Sequence, residues 1–189
     1  MKKYQVIYAD PPWDVGYLKG GKTAGTVGGG RHVPYATMTN KEIALLPVKN
    51  ITDDNAFLFL WVVDSRIPIV QELMKAWGFK YHGVAFIWNK TSKYDPNKVR
   101  ATIGTYVRKS CEFCFLGLKG KTSKMLKTHT IKQFANIPFD TLKHSQKPTE
   151  IRDKIVMMVG DLPRIELFAR QKTEGWDVWG NEVESDIKL

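Results

Sequence analysis

The chain has 189 residues, a length that suits one domain with a single hydrophobic core. Its formal net charge of +10 and pI near 9.5 favour a polyanionic partner such as nucleic acid, and no apolar run is long enough to span a membrane. Two cysteines and an N-terminus without a secretory segment indicate a reducing compartment, so we expect a cytoplasmic location.

Apolar runs alternate with amphipathic segments along the chain. Runs typical of strands cover residues 5–9, 56–63, 84–88, 112–118, 164–168 and 178–179. Helical periodicity predicts a short helix capped by Thr39, a second helix that ends at Gly78, and a third that begins near Pro148. We therefore expect an α/β fold in which helices flank a mostly parallel sheet, formed as one domain by residues 1–189.

The sequence offers no recognisable metal site. Cys111 and Cys114 are three positions apart in a predicted strand, where their side chains point to opposite faces, so we interpret both as core or near-core thiols. The histidines show no ligand spacing either; they are His32, His82, His129 and His144. We therefore expect no bound metal.

A literal phosphate-loop pattern, G-x-x-x-x-G-K-T, runs from Gly16 to Thr23. Such a loop works when a strand ends directly before it and a helix begins directly after it. Here Pro11 and Pro12 separate the pattern from the first strand, and several glycines follow where the helix would start. We interpret the match as accidental and the glycine-rich stretch as a mobile loop that orders over a substrate, with a disordered surface loop as the alternative. A nucleotide triphosphatase stays open as a rival function.

The motif Asp10-Pro11-Pro12-Trp13 directly follows the first predicted strand. In open α/β sheets, ligands bind outside the carboxyl ends of the strands. The prolines lack N–H groups, so carbonyls and the Asp10 carboxylate are the acceptors there, and Trp13 offers a flat face for stacking. Two acceptors and an aromatic face meet the needs of methylation at the exocyclic amine of a base, which depends on placement of a weak nucleophile.

The chain resembles the adenine-N6 methyltransferase family that includes the catalytic subunit of the eukaryotic messenger-RNA methyltransferase. The resemblance rests on an ordered series of short motifs: YADPPW, PYATM, FLFLWV, WGF, FIWNKT, CEFCFLGLKG, HSQKP and ELFAR followed by GWDVWGNE. It implies a Rossmann-like methyltransferase fold, S-adenosylmethionine as methyl donor and N6 of adenine as acceptor.

The resemblance also implies roles for individual positions. The catalytic motif and the tyrosine of a loop over the target correspond to Asp10, Pro11, Pro12, Trp13 and Tyr35. Positions around the donor, including the lysine that pairs with its carboxylate, correspond to Asp10, Lys147, Arg170, Asn181 and Glu182. Glu182 stands where the family often has Gln. Trp88 and Glu112 correspond to residues that line the same pocket.

Two lysine- and arginine-rich stretches, residues 89–110 and 119–132, are expected to contact nucleic-acid phosphates, with Lys90, Arg100 and Arg108 as candidates. We expect DNA rather than RNA as the substrate, with the target base flipped out of a duplex or presented in a single strand. Because no separate target-reading domain is evident, we expect target recognition to be short, loose or assisted by a partner, with a protein partner or a homodimer as the candidates. An RNA methyltransferase and a non-catalytic nucleic-acid-binding subunit stay open as alternatives.

Overall fold

A twisted sheet of seven strands forms the centre of the protein. The computed structural model describes residues 2–14, 26–27, 31–32, 36–104, 106–139 and 146–189. The strands are β1 (Tyr4–Ala9), β2 (Thr26–Val27), β3 (Arg31–His32), β4 (Thr52–Val62), β5 (Lys80–Thr91), β6 (Cys111–Lys119), β7 (Phe134–Pro138), β8 (Arg164–Leu167) and β9 (Asp177–Trp179). The sheet has the order β7-β5-β6-β4-β1-β8-β9, and β2 pairs with β3 outside it.

The direction of the strands fixes where a site can lie. β1 is parallel to β4 and β8, β8 to β9, and β5 to β7, whereas β6 is antiparallel to both of its neighbours. All strands of the sheet except β6 therefore run the same way and end at one edge, which we call the carboxyl edge. The predicted α/β fold with a mostly parallel sheet is confirmed, with β6 as the single reversed strand in that sheet.

The predicted strands all appear, and β4 and β5 extend beyond their apolar runs. β7 was not predicted. It is a short edge strand with exposed residues at every second position and a proline at its end. An edge strand has only one neighbour and little buried surface, so it leaves a weak pattern in the sequence.

Three α-helices connect the strands: α1 (Asn40–Leu45), α2 (Val70–Ala76) and α3 (Thr149–Val159). Thr39 caps α1 as predicted: its hydroxyl accepts from the Glu42 N–H, and its own N–H donates to the Glu42 carboxylate at 2.7 Å. α2 ends before Gly78, which has a φ of 85°. The predicted start of this helix is instead a 3-10 turn over Asp64–Ile69 that contains Pro68. None of the described helices is long and apolar enough to span a membrane.

The two faces of the sheet bury separate hydrophobic clusters. On one face, Ile7 and Leu60 pack with side chains of α1 and α2. On the other, Tyr8 and Trp61 pack with Ile151 and Ile155 of α3. Alternate residues of β1 thus serve opposite cores, and the residue that follows β1, Asp10, lies between them at the carboxyl edge.

The buried stripe of α3 gives a direct test of this packing. Ile155 is fully buried, whereas Met157 on the same helix is 62% exposed. We expect Ile155→Ala to lower the free energy of unfolding by about 2–5 kcal/mol, because it leaves a cavity against the sheet. Met157→Ala, the matched control, should change it by less than about 0.5 kcal/mol. Urea denaturation followed by circular dichroism measures both, and equal effects would contradict the placement of this helix.

Candidate active site

The carboxyl edge gathers most of the predicted site residues. Asp10 directly follows β1, and Arg170 follows β8. Lys90 lies near the end of β5, and Glu112 lies near the start of the antiparallel β6, where it pairs with Trp88. Lys147 lies just before α3, which begins at this same edge. In the sheet β1 lies between β4 and β8, so Asp10 lies at the carboxyl edge with a strand on each side. Ligands of open α/β sheets bind beyond this edge.

Four charged side chains of alternating sign form a continuous chain at this edge. Lys147 Nζ lies 2.7 Å from Asp10 Oδ2 and 3.3 Å from Glu112 Oε2. Glu112 Oε1 in turn lies 2.5 Å from Lys90 Nζ. The side chains of Lys147 and Asp10 are 11% and 26% exposed, so the pair is largely removed from water. Such charges are tolerated in this position because each one has a partner of opposite sign.

Partial burial and pairing shift the ionisation of these groups in different directions. Desolvation raises the pKa of Asp10 above its ordinary value, although the Lys147 ammonium acts to lower it. Desolvation also acts to raise the pKa of Glu112, but Lys147 and Lys90 together hold that pKa below its ordinary value. The pKa of Lys147 is raised, because its two carboxylate partners outweigh desolvation. The cluster holds two lysines and two carboxylates, so its formal charges sum to zero.

One carboxylate oxygen of Asp10 remains available. Lys147 donates to Oδ2, and no hydrogen bond to Oδ1 occurs within the described part of the chain. The Pro11 carbonyl next to it accepts from the Trp13 N–H at 2.8 Å and keeps a second lone pair. The site can therefore accept hydrogen bonds from an amino group through Oδ1 and, at a second lone pair, through Pro11.

Main-chain hydrogen bonds fix the turn after Asp10 to the segment that contains residue 38. The Met38 N–H donates to the Pro12 carbonyl at 2.8 Å, and the Asp14 N–H donates to the Met38 carbonyl at 3.0 Å. Tyr35, the predicted loop tyrosine, lies outside the described residues, three positions before this contact. The phosphate-loop pattern from Gly16 to Thr23 also lies outside them.

Trp13 does not present the open stacking face that the sequence suggested. Its side chain is 5% exposed, and its indole N–H donates to the Trp61 carbonyl at 3.1 Å. In this arrangement, Trp13 stabilises the turn that carries Asp10. Trp88 is also buried, at 3% exposed, and its indole N–H donates to the Ile137 carbonyl. Its ring lies 5.1 Å from Lys90 Nζ, so Trp88 forms a cation–π contact with one of the four charged side chains.

Sequence reasoning missed the residues that support Lys147. The Trp61 ring lies 5.6 Å from Lys147 Nζ, and its indole N–H donates to the Tyr8 hydroxyl at 2.7 Å. Arg152 in α3 donates to Glu166 of β8, whose backbone is in register with Tyr8. Trp61 and Tyr8 looked like ordinary strand aromatics. The usable signal was their position near the carboxyl ends of β4 and β1.

The residues after β8 and β9 that the sequence predicts to bind the methyl donor also lie together. Arg170 Nε lies 3.0 Å from the Glu182 carboxylate, and both side chains are partly exposed. Asn181, next to Glu182, is exposed as well. Phe168 at the end of β8 has a φ of 63°, which is rare for a residue with a large side chain and turns the chain sharply before Arg170. These two segments thus form a polar rim beside Asp10, whose ionisation Arg170 influences.

The structure separates the two basic stretches. Arg100 and Arg108 are exposed on the segment between β5 and β6, at the carboxyl edge. Lys119, by contrast, ends β6 opposite Ala56, and its ammonium approaches the Thr52 carbonyl near the start of β4. The stretch that begins at Lys119 therefore starts at the opposite edge of the sheet, whereas the described residues of the stretch 89–110 lie at the carboxyl edge.

The two cysteines lie in the first half of β6. Cys114 is buried and Cys111 is partly buried, and neither forms a disulfide. Desolvation raises the pKa of the Cys114 thiol. This agrees with the prediction of core or near-core thiols.

Comparison with known proteins places this arrangement in a family. The sequence matches the family model described as MT-A70 over residues 4–182. Type II methyltransferase M.MunI from a Mycoplasma species is 36% identical over 193 residues, which cover 96% of this chain and 78% of that protein.

Plant and animal proteins match with lower identity. The N(6)-adenosine-methyltransferase catalytic subunit METTL3 of Homo sapiens is 27% identical over 184 residues, which cover 96% of this chain and 28% of that protein. The N(6)-adenosine-methyltransferase MT-A70-like protein of Arabidopsis thaliana is 27% identical over 184 residues, and this chain spans about a quarter of it. The match covers every strand of the sheet and includes Asp10, Glu112, Lys147 and Arg170, and the chain belongs to the MT-A70 family.

Proposed function

We propose that this chain, acting as one domain over residues 1–189, transfers a methyl group from S-adenosylmethionine to N6 of adenine in DNA. The observation that carries the proposal is the Asp10 carboxylate at the carboxyl edge, with Oδ2 held by Lys147 and Oδ1 left to accept. An amino group in the plane of a purine needs such an acceptor, because its lone pair is delocalised into the ring and attack depends on orientation.

The polar groups at the edge fit the proposed donor in their chemistry. S-adenosylmethionine carries a carboxylate, ribose hydroxyls and an electrophilic methyl group on a positively charged sulfur. Lys147 and Arg170 are the cations at this edge that suit a carboxylate, and Asn181 and Glu182 suit hydroxyl groups. We assign the donor to these four side chains beside Asp10.

The residues around Asp10 would act on the target amine by placement. Asp10 Oδ1 and the Pro11 carbonyl each accept an N–H of the adenine amine, which turns the nitrogen lone pair away from the ring. Lys147 holds the carboxylate in one orientation, and Pro12 and Trp13 hold the turn. As N6 forms its new bond it becomes cationic and strongly acidic, and Asp10 is placed to take the released proton.

We assign the contacts with the nucleic acid to the segment between β5 and β6 and to the end of the charged cluster that is farthest from Asp10. Arg100 and Arg108 are exposed and form no salt bridge with a carboxylate of the described residues, so they are available for phosphates. Lys90 and Glu112, above the buried Trp88, are assigned to the rim of the base pocket. Tyr35 is assigned to the loop that closes over the target.

The choice of DNA follows from the relatives. The type II methyltransferase shares 36% identity and is covered over 78% of its length, whereas this chain matches only 28% of the human N(6)-adenosine-methyltransferase subunit. RNA is the second candidate, because the N(6)-adenosine-methyltransferases match along 96% of this chain. Methyl transfer to DNA and RNA oligonucleotides of matched sequence distinguishes the two, and sequencing of modified adenines in DNA from expressing cells gives the target site. Absence of N6-methyladenine from both would refute the proposal.

Replacing the acceptor should stop catalysis. Asp10→Asn keeps the shape of the side chain, but it puts an amide in place of the carboxylate and removes the negative charge beside Lys147. We expect kcat to fall at least about 100-fold. Single-turnover methylation of an adenine oligonucleotide measures it, and calorimetric titration with S-adenosylmethionine shows whether the donor still binds.

Asp54→Asn is the matched control for this substitution. The Asp54 side chain is fully exposed and lies near the start of β4, at the opposite edge of the sheet. Its methylation rate should equal that of the unmodified protein. A comparable loss in both variants, or near-normal activity of Asp10→Asn, would remove Asp10 from the reaction.

The ionisation of Asp10 predicts a particular pH dependence. The carboxylate accepts hydrogen bonds only when ionised, and its pKa lies above the ordinary 3.8. As pH falls, Asp10 therefore gains a proton earlier than an ordinary aspartate, while Glu112, with its lowered pKa, stays ionised. As the pH is lowered, kcat/KM should begin to fall at a higher pH than the pKa of an unperturbed aspartate would give. Circular dichroism should show that the chain is still folded at that pH. Full activity down to that range would contradict the assignment.

A further inference from the structure

The segment between β5 and β6, described over residues 92–104 and 106–110, forms an exposed arm at the carboxyl edge. We refer to it as the arm. Five of the nine large hydrophobic residues that are exposed in the described chain belong to it: Tyr94, Val99, Ile103, Tyr106 and Val107. Three of them surround the tip, where Ile103 is 84%, Tyr106 97% and Val107 71% exposed. A concentration of exposed apolar side chains in one place marks a contact surface.

The arm is a structured hairpin. Thr102 and Lys109 exchange two main-chain hydrogen bonds, of 2.8 and 3.0 Å, directly below the tip. Gly104 allows the chain to turn there, because a β-carbon at this position would lie 2.2 Å from the Val107 carbonyl oxygen. Lys109 is also held by an ion pair with Asp64, which follows β4. The apolar side chains are thus presented on a braced support.

Main-chain hydrogen bonds connect the arm to Lys90, a member of the charged cluster at the carboxyl edge. The Arg100 N–H donates to the Lys90 carbonyl at 2.7 Å, and the Lys90 N–H donates to the Ser110 carbonyl at 2.8 Å. The side chain of Lys90 continues through Glu112 and Lys147 to Asp10. The arm therefore rises from the same edge as the proposed acceptor site, in a fixed relation to Asp10.

The charge of the arm selects its partner. Its exposed flanks carry Lys93, Lys98, Arg100 and Arg108, and the one acidic residue of the segment is Asp95. A second copy of this chain would bring an identical basic arm and a formal charge of +10 of its own, so the two would repel each other. A polyanion complements the flanks, and base pairs complement an apolar tip.

Resting on the proposed function, we infer that the tip of the arm is a wedge that enters the base stack of duplex DNA, with Tyr106 filling the space left by the flipped adenine. Flipping a base out of a duplex costs pairing and stacking energy. Side chains inserted between base steps unstack them, and an aromatic ring replaces part of the lost stacking. Arg100 and Arg108 hold the phosphates on either side.

The test compares duplex and single-stranded substrates that contain the target adenine. Tyr106→Ala should lower kcat/KM on the duplex by about tenfold, because the ring no longer compensates for lost stacking. On a single strand, which needs no flipping, the loss should stay below about twofold. Tyr106→Phe, which keeps the ring, should retain the duplex rate. Tyr106 is 97% exposed, so its replacement does not endanger the fold.

Tyr94→Ala is the matched control. Tyr94 is 81% exposed on the same arm, but it lies in the turn near β5, where its ring contacts Lys93, rather than at the tip. It should leave the ratio of duplex to single-strand rates unchanged. A second readout avoids chemistry: 2-aminopurine at the target position should fluoresce more when the unmodified protein binds the duplex, and less so with Tyr106→Ala.

The outcomes separate this inference from the proposed function. Absence of adenine methylation on any DNA by the unmodified protein refutes the function itself. Methylation of DNA with equal losses on duplex and single strand in Tyr106→Ala, or activity confined to single strands, refutes the wedge alone. Sedimentation completes the test: a dimer that Tyr106→Ala converts to a monomer, with equal losses on both substrates, makes the tip a contact between copies and also refutes the wedge.

Discussion

The ion pair between Asp10 and Lys147 is the interaction on which the arrangement of the site depends. It joins the end of β1 to the start of α3 across 137 positions of sequence, and Glu112 and Lys90 extend it to β6 and β5. Removing Lys147 would leave the poorly hydrated Asp10 carboxylate without its paired ammonium, which costs more than the loss of an exposed pair. The relative positions of β1, β5, β6 and the start of α3 are therefore coupled through this cluster. The buried rings of Trp61 and Trp88 border the ammonium groups of Lys147 and Lys90, respectively, and shield that side of them from water.

The fold was largely predictable because its signals are local. Continuous apolar runs gave the buried strands, and Thr39 and Gly78 marked helix ends through interactions with their near neighbours. β7 escaped because an edge strand buries little, and Pro68 gave the expected first turn of α2 a different geometry. The reversed direction of β6 could not be read from its sequence. An apolar strand has the same composition in either direction, and pairing is decided by residues far away along the chain.

The sequence indicated most of the residues that the structure brings together at the carboxyl edge, but not the contacts between them. The position of the Asp10 motif directly after a strand was enough to place a carboxylate at that edge. That Lys147 contacts Asp10 and Glu112 at once, with Glu112 shared between two lysines, depends on the meeting of distant elements. Trp13 shows the limit most clearly. Its aromatic face suggested stacking on a base. In the structure the ring is buried in the core, and its indole N–H donates to the Trp61 carbonyl, which stabilises the turn after β1. A residue type states what a side chain can do, and packing decides which of these uses remains.

The antiparallel pairing of β5 with β6 has a consequence for how such enzymes diversify. Because the two strands are adjacent and opposed, the arm leaves and rejoins the sheet at neighbouring points, between Thr91 and Cys111. Its length and tip can change without moving any other strand, as in other hairpins whose ends meet in a sheet. Insertions or deletions in this segment are therefore compatible with an unchanged sheet and an unchanged position of Asp10.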